Sequence, residues 1–252
     1  MSGRKKAAYT VFIAAEGPSE LGELATELQW RSRKAPREGY FQPMLRKLLG
    51  DDVAFEGQKI TLLGRFDTKQ KLKGHADRAA KALRLASTLI DGCRVLVFAH
   101  DVDKGSGEKR NATERARRVK ALHEEIEAGF AAVDGASHVQ RVKATPLRMI
   151  EAWALGDEAA VQAIAGKDGD PAAIPRHPEE TWGDERDRAS GHPKCVLRRA
   201  LGRDPTPEDF AQVAREADVD ALRASCPASF APFAEEAERA GNEARVAGVL
   251  ES

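Results

Sequence analysis

Four short apolar runs, at 9–15, 59–65, 94–99 and 138–143, alternate with three longer stretches, 40–49, 75–90 and 112–130, in which apolar residues recur at helical spacing. That alternation leaves few folds open. A β-α-β-α-β-α-β order supplies the long crossovers that join parallel neighbours in a sheet. The run Val95-Leu96-Val97-Phe98 has no polar alternate and suits a strand covered on both faces. The expectation is an α/β fold with a mainly parallel sheet flanked by helices. In such sheets ligands gather beyond the carboxyl ends of the strands.

Beyond the fourth run the texture changes. Pro146 opens a helix that continues through Glu151 to Leu155, and another follows at 158–164. The stretch 166–193 is polar, rich in Gly and Pro, and reads as a long loop. From 194 to 250 the pattern is helical, interrupted by Asp204-Pro205-Thr206-Pro207 and by Cys226-Pro227. Leu197, Leu201, Phe210, Leu222, Phe230 and Phe233 are too many apolar anchors for a disordered tail. The organisation expected is an α/β domain over 1–165, a long polar loop over 166–193 and a C-terminal helical extension over 194–252.

Composition removes several function classes. Forty Lys and Arg balance forty Asp and Glu, so any nucleic-acid contact must come from a local basic surface rather than from bulk charge. Such a surface exists in the sequence: 104–120 holds seven basic residues against two acidic ones, directly after the third strand. Lys104, Arg110, Arg115 and Arg117 are its candidates for holding substrate phosphates. Arg4, Lys5 and Lys6 before the run 7–15 imitate a secretion signal, but that run is short, β-branched and followed by Glu16, as a strand would be. No stretch approaches the roughly 20 apolar residues needed to span a bilayer, and a cytoplasmic protein without membrane contact is expected. Cys93, Cys195 and Cys226 form no Cys-x-x-Cys pair, which argues against a disulfide framework or a zinc site. Phosphate-loop, dinucleotide-binding, nucleophile-elbow and His-Glu-x-x-His motifs are absent. Among six scattered histidines only His100, beside Asp101, is placed to matter, and it is read as a packing residue.

What remains is carboxylate chemistry. The first strand runs into Glu16-Gly17-Pro18-Ser19-Glu20 and the third into His100-Asp101-Val102-Asp103. Alternate residues of an extended segment face one side, so Asp101 and Asp103 can address one point. Gly17 permits a sharp turn after the strand, and Glu20, four residues on from Glu16, can return to the same place. Hard oxygen ligands with open positions are what Mg2+ takes when it also binds substrate phosphates.

A Glu ending the first strand, an Asp-x-Asp ending the third and the strand-helix order between them resemble the Toprim domain shared by topoisomerases, primases, OLD-type nucleases and small ribonuclease-type maturases. With Ile150-Glu151-Ala152-Trp153-Ala154-Leu155-Gly156-Asp157, His192-Pro193-Lys194 and Cys226-Pro227-Ala228-Ser229-Phe230, the chain is similar to a Toprim-related bacterial family of unknown function, often encoded beside AAA-type ATPases. The resemblance implies a Toprim-like catalytic domain over 1–165 and a nuclease that uses Mg2+ or Mn2+, serving bacterial (including phage) defence or nucleic-acid maintenance. It implies Glu16 as metal ligand or general base, Asp101 and Asp103 as metal ligands, Glu20 as the second Glu of the OLD-type pattern, and Glu151 at a second metal position. Lys194 would act against transition-state charge, and Trp153 is read as core. DNA or RNA and an AAA-type ATPase are the implied partners. Two alternatives stay open: a non-catalytic or regulatory Toprim-like subunit of an ATPase complex, and a small-molecule phosphohydrolase or phosphotransferase. The only tyrosines, Tyr9 and Tyr40, lie inside the α/β unit, which argues against a strand-passing topoisomerase. The lack of a cysteine/histidine cluster argues against a primase.

Overall fold

The computed structural model describes residues 7–27, 36–63, 72–89, 92–102 and 112–250, with 112–115 and 248–250 as backbone. Within them β1 (Tyr9–Ala15) pairs in parallel with β2 (Val53–Lys59) on one side and β3 (Cys93–Ala99) on the other. A fourth strand, β4 (Gln140–Ala144), pairs in parallel with β3, giving the order β2-β1-β3-β4. Every residue of β1 is buried, which fits a central strand whose side chains feed two layers at once. Tyr9, Val11, Ile13 and Ala15 enter one core and Phe12 and Ala14 the other.

The first core lies under α2 (Phe41–Leu49), the β1-to-β2 crossover. The second lies under α4 (Gly74–Ser87) and α5 (Ala112–Ala131), which carry the chain back over β1 to β3 and on to β4. Moving outward in opposite directions from β1 while keeping each crossover right-handed puts the helices on opposite faces. The order reverses between β1 and β3, and in such sheets ligands bind beyond the carboxyl ends of the two strands at that reversal.

The second strand differs from the run 59–65 expected for it. Val53–Lys59 is a polar edge strand hydrogen-bonded to β1, and the apolar residues that follow form one helical turn, α3 (Ile60–Leu63). Ile60 and Leu63, three apart, lie on one face of that turn and are both buried. Positions 64 and 65 lie outside the described residues.

The C-terminal helices complete the first core. After α6 (Ile150–Ala154) and α7 (Glu158–Ile164) come α8 (Pro193–Leu201), α9 (Pro207–Glu216), α10 (Val219–Ser225) and α11 (Phe230–Leu250). Trp153, fully buried, stacks on Phe233 at 5.0 Å between ring centroids and meets Phe230 edge-on at 5.3 Å. The segment 166–193 holds two short 3₁₀ turns, Pro171–Ala173 and Pro178–Glu180, and is tied to this core at Glu179. Only 1 % exposed, Glu179 accepts from the Ser229 hydroxyl and the Ala228 N–H, each at 2.7 Å. Ser229 in turn accepts from Trp153 Nε1 at 2.7 Å. Among the described residues no helix is long and apolar enough to cross a membrane.

Candidate carboxylate site at the sheet edge

Glu16 is the first residue past β1, and the chain then turns at Gly17 into α1 (Pro18–Leu21). The Gly17 N–H donates to Glu20 Oε2 at 2.6 Å, so the Glu20 side chain folds back over the helix start toward Glu16. Two glycines hold this turn in place. Gly22 has φ +56°, and a Cβ there would stand 2.1 Å from the Arg37 carbonyl oxygen; one on Gly39 would stand 2.5 Å from the Glu20 carbonyl carbon. The segments therefore cross at backbone contact, and buried Gln42 locks them by donating to the Leu21 carbonyl at 2.8 Å.

Past β3 the backbone runs beside the extension of β4: His100 N–H donates to the Ala144 carbonyl at 2.9 Å and Val102 N–H to the Pro146 carbonyl at 3.0 Å. His100 Nδ1 lies 2.9 Å from the Asp101 carbonyl and 3.3 Å from Glu16 Oε1. A carbonyl only accepts, so Nδ1 carries a proton, and in neutral His100 Nε2 is left as an acceptor. It faces His75 Nε2 at 3.1 Å, and His75 Nδ1 lies 2.7 Å from Glu125 Oε2. His100 thus lies between the Glu16 carboxylate and the end of β3, its Nδ1 committed to the Asp101 carbonyl. His75 gave no sign of this in the sequence, because its partners, His100 and Glu125, come from two distant segments.

Electrostatics ties in the remaining residues. Burial, followed by the charge of Glu16 and then that of Glu151, pushes Glu20 up to about 8 against the opposing Gly17 hydrogen bond. Burial likewise raises Glu151 in the first turn of α6, with Glu185 and Glu16 adding to it, while its backbone hydrogen bond and Lys194 pull the other way. Lys194, on the first turn of α8, is paired with Glu185 Oε1 at 2.9 Å. Burial opposes its charge, but that pair and the fields of Glu151 and Asp101 hold the ammonium above its ordinary range.

Glu16, Glu20, Asp101, Glu151 and Lys194, from four segments of the sequence, therefore lie near enough to feel one another's charge. Glu185 joins them without any motif to announce it. Asp103, Lys104 and Arg110 lie outside the described residues, as does the side chain of Arg115; Arg117 is exposed on α5. The donor set suits a hard divalent cation: it is all carboxylate, and burial raises the pKa of two of its members, Glu20 and Glu151, favouring the protonated form that a cation can displace. Among the described residues no three Asp, Glu, His or Cys side chains stand close enough together to cage a metal ion. The fit is therefore one of charge and donor type.

A cavity of about 790 Å³ opens between α5 and the Glu179 turn, lined by Val119, His123, Glu127, Leu147 and Ala228 among others. None of the gathered carboxylates lines it. No family model, curated protein or solved structure matches the chain.

Proposed function

We propose that this chain is a divalent-metal-dependent nuclease of the Toprim type, hydrolysing phosphodiester bonds at the edge between β1 and β3. The observation that carries the reading is the gathering of Glu16, Glu20, Asp101 and Glu151 with Lys194, two of the carboxylates being buried with raised pKa values. Burying like charges together is costly, and sites that do so are enriched in function. Glu16, Glu20, Asp101 and Glu151, with Asp103, would hold Mg2+ or Mn2+, which supplies an activated water and a counter-charge for the leaving oxygen. On this reading Lys194 sets a positive charge beside the scissile phosphate. The basic stretch after β3 carries the flanking phosphates. Incubating the purified chain with labelled single- and double-stranded DNA and RNA, in EDTA or in Mn2+, tests this. Cleavage that needs Mn2+ and vanishes in Glu16→Gln is expected; none with any substrate would overturn it.

The reading of the chain as a non-catalytic subunit of an ATPase complex has an observation of its own. Glu20 already has structural work, closing the start of α1 through Gly17 N–H. On that reading Glu20→Gln, whose amide oxygen keeps the Gly17 contact, leaves function intact, and Mn2+ leaves the melting temperature unchanged.

A further inference from the structure

None of the sheet-edge carboxylates lines the cavity between α5 and the Glu179 turn, so the proposed hydrolysis leaves it without a role. At about 790 Å³ it falls within the size range of small-molecule sites, roughly 300–1,000 Å³. One wall is a single face of α5, on which Ala116, Val119, His123 and Glu127 recur at three- and four-residue spacing. The other is the Pro178–Glu180 turn with Ala228, and buried Leu147 also lines the space. Both walls are fixed. Glu179 ties the turn to Ala228 and Ser229, and His123 is held by its Nε2, 2.8 Å from Thr145 Oγ1.

Four of the lining side chains are glutamates and only one is a lysine. They are not equivalent. Glu127 is neutralised by Lys143, which also pairs with Glu236. Glu124 is held loosely by Lys120, 3.9 Å away, and both side chains are exposed, so that pair contributes little. Glu180 is exposed and has no ion-pair partner among the described residues. Glu179, 1 % exposed, is bonded to two neutral donors and, among the described residues, to no cation. Its field crosses protein rather than water and is screened less for that reason. His123 adds no opposing charge: burial, and then Lys143, keep it below the usual histidine range, against Glu236 and Glu127. The cavity therefore combines the apolar side chains of Ala116, Val119, Leu147 and Ala228 with a surplus of negative charge. A neutral apolar ligand leaves that charge unanswered, and an anion is repelled by it.

We propose that this cavity binds a small organic cation, an ammonium group on an aromatic or aliphatic body, with the body against Val119 and Leu147 and the ammonium beside Glu180 and Glu124. Glu179 favours the ammonium through its field, without contact. The site is independent of the nuclease reading.

The test uses the full chain in EDTA at low salt and three dansyl probes that share a body and differ at the far end: dansylcadaverine, which ends in an ammonium, the neutral N-pentyl dansylamide, and the dansyl conjugate of 6-aminohexanoate, which ends in a carboxylate. Dansyl emission rises and shifts to the blue on leaving water, and titration gives a Kd for each. Wild type is expected to bind the ammonium probe roughly fivefold more tightly than the neutral one, and the carboxylate probe most weakly. Glu180→Arg, a change at an exposed side chain, should weaken the ammonium probe by about the same factor and leave the neutral probe unaffected. Val119→Trp, which sets an indole in the cavity, should weaken all three. Because Glu180 is exposed, its variant keeps the test decisive if Val119→Trp does not fold. Equal affinity for the three probes, no binding of any of them, or a wild-type Kd for the ammonium probe in either folded variant overturns the inference. A wild type that binds no probe and sediments as a dimer which Val119→Trp dissolves would put a second copy of the chain in this groove, and overturns it as well.

Discussion

Glu20 makes the pH dependence of stability a direct readout of the gathered carboxylates. Its pKa is raised from 4.5 to about 8 in the folded protein, by burial and then by Glu16. Between those values the folded state holds a proton that the unfolded chain has released. The stability this proton provides is full below pH 4.5 and is lost as pH rises toward 8. One proton corresponds to about 1.4 kcal/mol per pH unit, so from pH 5.5 to 7.0 the loss is about 2 kcal/mol. Glu20→Gln cannot titrate there, and its amide oxygen can still accept from Gly17 N–H. Urea unfolding of both proteins in EDTA should therefore show the wild-type stability falling relative to the variant by about 2 kcal/mol across that range. In thermal melts the difference should move by roughly 4–8 °C for a chain of this size. Parallel pH profiles would refute the argument, because they would mean that Glu20 is ionised in the fold and the cluster is not desolvated.

Two further outcomes follow from the same structure. Glu179→Ala should cost about 2–4 kcal/mol, since it strips partners from Ser229 and from the Ala228 N–H beside a fully buried tryptophan; urea midpoints check this, and a loss under 1 kcal/mol would show that the segment 166–193 is not anchored there. The three thiols are buried, and burial pushes Cys93 up to about 11 and Cys226 up to about 12, so neither should react with a disulfide reagent at pH 8 until the protein is unfolded in urea.

The strands that could be read from sequence are those that needed no help from tertiary context. The first run coincides with β1, and 94–99 lies within β3, because strands covered on both faces are apolar throughout. β2 was illegible because an edge strand can be polar: Glu56, Gln58 and Lys59 hide it, while Ile60 and Leu63 draw the eye onward to a helical turn. The same contrast holds at the site. Glu16 and Asp101 announce themselves by following strands, and the carboxyl-edge rule brings them together. His75 meets its partners from far away in the sequence, so no local pattern could mark it.

Manganese binding measured by electron paramagnetic resonance tests the central claim most directly, because the signal of the free ion disappears on binding and no substrate need be known. Titrated with Mn2+, the wild-type chain is predicted to remove at least one equivalent of free ion with a sub-millimolar Kd. The double variant Asp101→Asn/Asp103→Asn should lose that binding while melting, in EDTA, within a few degrees of wild type. Free Mn2+ that rises in step with addition, or equal binding by the folded double variant, would contradict a metal site at this edge of the sheet and the hydrolytic chemistry built on it.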